Sequence, residues 1–140
     1  MTMLLSELNH PPHFIAISET KINKNIGLNF APNIPGYSFA HSDTQYAAGG
    51  VAICTKDNIS YVVRHDLSEI LAEAESLWLE VILNGKKTVI SVIYRHPAPQ
   101  YDSFTKELEN ILHNLNDNKV TYYICGDFNI NLLQHESHSK

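Results

Sequence analysis

Apolar residues recur along the chain in short runs, each closed by Gly, Asn, Asp, Lys or Pro, and this spacing predicts strands more often than helices. His13–Ser18, Tyr37–His41, Gly50–Thr55, Ile59–His65, Leu77–Leu83, Thr88–Tyr94 and Val120–Cys125 each read as a strand. In the fifth of these, Leu77, Leu79 and Val81 alternate with Trp78, Glu80 and Ile82, as on a sheet with one better-buried face. Asn84-Gly85 lies between two apolar runs, and both residues accept positive φ, so Ser76–Tyr94 reads as one antiparallel hairpin.

Helical spacing is clearest over Ser103–Leu115, where Phe104, Leu108, Ile111, Leu112 and Leu115 share one side and Asp102 stands where a cap is wanted. Burying that side contributes about 1.5–3 kcal/mol per residue before conformational entropy is subtracted, so the helix needs a sheet to cover. Val120–Cys125 then returns beside Thr88–Tyr94, with the helix as the crossover. Met3–Leu8 reads as the end of a helix closed by His10-Pro11-Pro12, and Asn23–Gly36 as loop.

The 140 residues, 44% hydrophobic and 18% charged, suit one globular domain over residues 1–140, with a disordered tail over 134–140. A net charge of −5 argues against binding nucleic acid through a broad basic surface. Contact with a polyanion would have to be local or bridged by a metal ion. Cys54 and Cys125 both sit in apolar runs without metal-type spacing and read as small core residues of a reducing compartment. MTMLLSELNH lacks the basic start of a signal peptide, and no apolar run approaches a membrane span, which predicts an intracellular protein, cytoplasmic or nuclear, with no membrane partner.

Three buried-looking strands end in polar residues: HFIAIS in Glu19 and Thr20, TVISVI in Tyr94 and Arg95, and VTYYIC in Gly126-Asp127-Phe128-Asn129. If the three are neighbours pointing the same way, their ends gather at one rim of a sheet. The chemistry this suggests is metal-assisted attack on a phosphate ester. Glu19 suits a hard cation, Asp127 can polarise or deprotonate a water, and Asn129 can orient that water or the phosphate. Tyr94 and Arg95 can donate to phosphate oxygens. Each residue also has a plainer reading: Glu19 as a solvated loop residue, Gly-Asp-x-Asn as a turn, and Tyr94-Arg95 as a strand edge with its polar ends in water.

Ser18-Glu19-Thr20, Gly49-Gly50-Val51-Ala52-Ile53, Val92-Ile93-Tyr94-Arg95-His96-Pro97 and Gly126-Asp127-Phe128-Asn129, in this order, resemble the endonuclease/exonuclease/phosphatase superfamily. They look most like the apurinic-type endonuclease domain that accompanies reverse transcriptase in non-LTR retrotransposons. The resemblance implies an α/β fold, a partial four-layer α/β sandwich of the deoxyribonuclease I-like type, and hydrolysis of phosphate esters with Mg²⁺ or Mn²⁺. By motif, Glu19 matches the metal-binding glutamate, Tyr94 a tyrosine at the scissile phosphate, and Asp127 and Asn129 the pair that activates water and stabilises the transition state. Arg95 is carried as a further phosphate contact. DNA is the implied substrate and a reverse transcriptase domain in the same polyprotein the implied partner; oligomeric state is not legible.

Family members also carry an Asn-bearing strand ahead of this region and a Ser-Asp-His motif after it. Neither matches here, and His135-Glu136-Ser137-His138 reads as solvated tail. The expectation is therefore an incomplete second sheet with an exposed apolar face, and weak or absent cleavage by these residues alone. The same residues are also open to reading as an inactive remnant or binding fragment, or as a phosphatase or lipid phosphodiesterase of the same superfamily.

Overall fold

The computed structural model describes residues 5, 7–27 and 32–131. Within them run strand β1 (Phe14–Ser18), the single helical turn α1 (Lys24–Gly27), β2 (Tyr37–Ser42), β3 (Val51–Lys56) and β4 (Tyr61–Val63). There follow helix α2 (His65–Ile70), β5 (Ala74–Leu83), β6 (Lys86–Arg95), helix α3 (Asp102–Asp117) and β7 (Thr121–Asp127). Among these helices none is long and apolar enough to cross a membrane.

The strands form two sheets. One is antiparallel, in the order β1-β3-β2; the other has the order β4-β5-β6-β7, with β6 and β7 parallel and the remaining pairs antiparallel. A parallel pair cannot be joined by a tight turn, and α3 makes the crossover. The β5–β6 hairpin closes on Asn84 and Gly85 at φ 51° and 72°, the positive values that a two-residue turn of this type demands.

Two apolar layers follow from the alternation of side chains. Val51 and Ile53 of β3 meet Leu77, Leu79, Val81, Ile90, Val92 and Tyr94 between the sheets. On the other face of the second sheet, Trp78, Val89 and Ile93 pack with Leu67 and Leu71 and with Phe104, Ile111 and Leu115 of α3. Trp78 is wholly buried, and its indole N–H donates to Ser76 Oγ at 2.9 Å. The result is the partial α/β sandwich expected, two sheets face to face with helices over one of them.

Several expectations change. The strand ending in Glu19 is not a neighbour of the strands ending in Tyr94 and Asp127 within a sheet; it belongs to the opposite sheet and faces them across the sandwich. The strand expected over Ile59–His65 shortens to β4, because the chain turns into α2 at His65. Asp102 lies inside the first turn of α3, and Tyr101 occupies the cap position without a side-chain cap hydrogen bond. Cys125 is exposed while Cys54 is buried. On β7, Tyr122 and Ile124 turn toward α3, whereas Tyr123 and Cys125 lie on the face toward the other sheet, where among the described residues Tyr123 stays 62% exposed. The helix expected over Met3–Leu8 and the tail over 134–140 lie outside the described residues, apart from Leu5, Glu7 and Leu8.

Candidate active site

Glu19 leaves the end of β1 in a left-handed backbone conformation, φ 55°, and Lys21 repeats it at 57°. Residues with a Cβ hold such conformations only where their surroundings over-determine them. The determinant here is the turn at Gly49-Gly50. Its two carbonyls accept from Thr20 N at 3.1 Å and Lys21 N at 2.8 Å. A Cβ on Gly50 would meet the Thr20 hydroxyl, so the turn and the Glu19 segment approach more closely than other residues permit.

Tyr94 and Arg95 end β6, with 2% and 1% of their surface exposed. The Tyr94 phenol is pushed above its ordinary range, first by burial and then by the nearby Glu19 carboxylate. Negative charge from Asp127 and Glu75 adds to the effect. The parallel register pairs Tyr94 with Asp127 and Ile93 with Gly126. Gly126 is at φ 143°, and a Cβ there would run into the backbone of Ile93, so glycine is what lets Asp127 reach the level of Tyr94.

Beyond β7 the chain folds back on itself. Asp127 Oδ1 accepts from the Asn129 backbone N–H at 3.0 Å, and Asn129 sits at φ 48° with its side-chain amide donating to the Arg95 carbonyl at 2.7 Å. Asp127 thus serves as a turn former and, at the same time, lies in register with the buried phenol.

Arg95, expected as a phosphate contact, is engaged with backbone. Its guanidinium is buried and donates to four carbonyls: Phe128 at 3.3 Å and Asn129 at 3.2 Å, and Ala98 at 2.9 Å and Gln100 at 2.5 Å. The Phe104 ring lies 5.8 Å away on its face. A planar fork of fixed donors can tie two loops together in this way, and a group so engaged has little left for a substrate.

Glu75 was not singled out by the sequence. It stands opposite Tyr94 in the β5–β6 register. Its carboxylate accepts from Gly50 N and from the Thr44 hydroxyl at 2.6 Å, and lies 3.2 Å from His96 Nε2. The His96 ring in turn sits edge-on to Tyr94, centroids 5.0 Å apart, and to the exposed Tyr46 at 4.6 Å. The one available signal was an acidic residue just ahead of an apolar strand, facing the residue after TVISVI.

The rim therefore gathers Glu19, Tyr94 and Asp127, with Glu75 behind them. Among the described residues no group of three or more His, Cys, Asp or Glu side chains is placed to hold a metal unaided. The donor set still fits a hard divalent cation. Such an ion takes oxygen ligands, commonly only one or two of them carboxylates, and fills its shell with water and phosphate oxygens. The carboxylates of Glu19, Asp127 and Glu75 all bear on one buried phenol, a concentration of negative charge that a cation would relieve.

Residues 3–139 match the model of the Endonuclease/Exonuclease/phosphatase family. Among solved structures the chain is similar to humanized D. rerio TDP2, at 15% identity and TM-score 0.60, over 86% of this chain and 50% of that one. It is also similar to the human Nocturnin catalytic domain with bound sulfate anion, at 18% identity and TM-score 0.59, over 93% and 56%. D. rerio TDP2 complexed with single strand DNA product gives 15% identity and TM-score 0.56, over 86% and 49%. No curated protein matches significantly by sequence. The chain spans about half the length of the solved structures it resembles.

Proposed function

Starting from the fact that the chain belongs to the endonuclease/exonuclease/phosphatase family, we propose that its rim is a divalent-metal-dependent phosphodiester-cleaving site acting on DNA. The observation that carries the reading is the convergence of Glu19, Tyr94 and Asp127 from three strands and both sheets upon one point.

Glu19 would hold Mg²⁺ or Mn²⁺, and the ion when bound supplies charge neutralisation at the phosphate and acidifies a water. The other steps belong to side chains. Tyr94, its phenol pushed upward, stays protonated at neutral pH and is kept as a hydrogen-bond donor for a non-bridging phosphate oxygen. Asp127 takes the proton of an attacking water. Asn129, anchored through its amide to the Arg95 carbonyl, has a second N–H for the phosphate. Arg95 holds this loop in place through the Asn129 carbonyl.

DNA is favoured over a phosphomonoester by the similarity to a TDP2 solved with single strand DNA product, and a retroelement origin by the order and spacing of the four motifs. In that setting the chain is the nicking domain of a polyprotein that also carries a reverse transcriptase. A second reading, an inactive or binding fragment, is favoured by the incomplete set of metal-ligating side chains among the described residues. A thermal-shift titration separates the two. Stabilisation by Mg²⁺ that vanishes in Glu19→Gln supports the metal site, since a ligand stabilises only the state that binds it. No shift at millimolar Mg²⁺ supports the inert fragment.

A further inference from the structure

We infer that Glu75 is a positioning residue for the cation side of this site, fixing the Gly49-Gly50 turn that in turn holds Glu19. The inference rests on the reading of Glu19 as the cation ligand.

Glu75 lies at the start of β5, next after Ala74, and faces the rim, yet its side chain keeps only 14% of its exposure. A carboxylate withdrawn from water is tolerated when hydrogen bonds replace its hydration. Both oxygens of Glu75 are so engaged: Oε1 with the Thr44 hydroxyl and near His96 Nε2, and Oε2 with the Gly50 N–H. Two of these partners, Thr44 and Gly50, belong to the loop over 44–50.

That loop is the mould for the Glu19 segment. Gly49 and Gly50 sit at φ 115° and 81°, and their carbonyls receive the N–H groups of Lys21 and Thr20. A Cβ on Gly49 would collide with the Glu75 carboxylate, and one on Gly50 with the Thr20 hydroxyl. The contacts are therefore close on both sides of the turn: Glu75 against Gly49, Gly50 against Thr20. Glu19, at positive φ and directly ahead of two residues whose N–H groups are held by the turn, has its direction set by a carboxylate in the opposite sheet. Outer-shell groups of this kind orient the ligands of metal sites.

The test is amide hydrogen exchange on the metal-free chain, with Mn²⁺ line broadening as a second readout. Glu75→Ala is expected to accelerate exchange at Thr20 and Lys21 and to weaken Mn²⁺ binding by about 10- to 100-fold. Glu75→Gln retains an oxygen for the Gly50 N–H and recovers most of both. Unchanged exchange at Thr20 and Lys21 in Glu75→Ala overturns the inference. So does a Glu75→Gln that loses Mn²⁺ as fully as Glu75→Ala with exchange intact, which marks a through-space charge effect. Should Glu75→Ala not fold, Thr44→Val removes one anchor alone, and faster exchange at the same two amides is expected; none overturns the inference. Broadening that survives Glu19→Gln defeats the reading of Glu19, and the exchange result then decides the role of Glu75 separately.

Discussion

Arg95 and Asn129 hold each other: the Arg95 guanidinium donates to the Asn129 carbonyl at 3.2 Å, and the Asn129 amide donates to the Arg95 carbonyl at 2.7 Å. The strand that ends at Tyr94-Arg95 and the turn that presents Asp127 are thereby one unit. Lysine has a single ammonium that cannot satisfy four carbonyls in two loops. Arg95→Lys is expected to cost about 2–4 kcal/mol, chiefly through carbonyls left unsatisfied, as read by urea unfolding.

Gly126 is irreplaceable for a local reason. Its φ of 143° and the nearness of the Ile93 backbone leave no room for a methyl group. Gly126→Ala is expected to destabilise the chain by about 2 kcal/mol or more, since strain and a displaced strand end add together. A Tm within error of the parent would contradict the register described for β6 and β7.

Tyr94 links stability to alkaline pH. Its folded-state value lies above that of an unfolded tyrosine, so above about pH 10 the unfolded chain sheds this proton first and folding stability falls as pH rises further. Below that pH the group contributes its full share. Urea unfolding between about pH 8 and pH 11 is expected to show a shallower decline for Tyr94→Phe than for the parent chain.

The two cysteines differ in access. Cys125 is exposed, whereas Cys54 is wholly buried, and burial pushes both thiols up. In native buffer a thiol reagent is expected to modify Cys125 alone, and in urea both. Rapid labelling of Cys54 in the native chain would contradict its burial on β3.

Much of this was legible in the residues themselves. The Asn84-Gly85 hairpin, the apolar side of α3 and the parallel return of β7 all follow from local rules, turn chemistry and helical period, that act within a few residues. Strand order did not follow. Alternation tells which face of HFIAIS is covered but not by what, and β1 packs across the sandwich from β6 and β7 rather than beside them. The same limit misled the reading of Cys125, since an apolar run such as VTYYIC looks alike whether one face or both are covered. The backbone carbonyls that Arg95 binds and the Gly50 N–H that Glu75 accepts leave no mark in a sequence, so neither engagement was legible from the residues alone.

The central claim, that Glu19, Tyr94 and Asp127 form a phosphodiester-cleaving rim, is tested most directly by Mg²⁺-dependent conversion of supercoiled plasmid to open circle at high enzyme concentration. Weak nicking by the parent chain is expected, falling by about 100-fold or more in Asp127→Asn, because groups that act together in catalysis are lost together. Nicking that persists unchanged in Asp127→Asn, or that survives removal of Mg²⁺ by chelation, would contradict it.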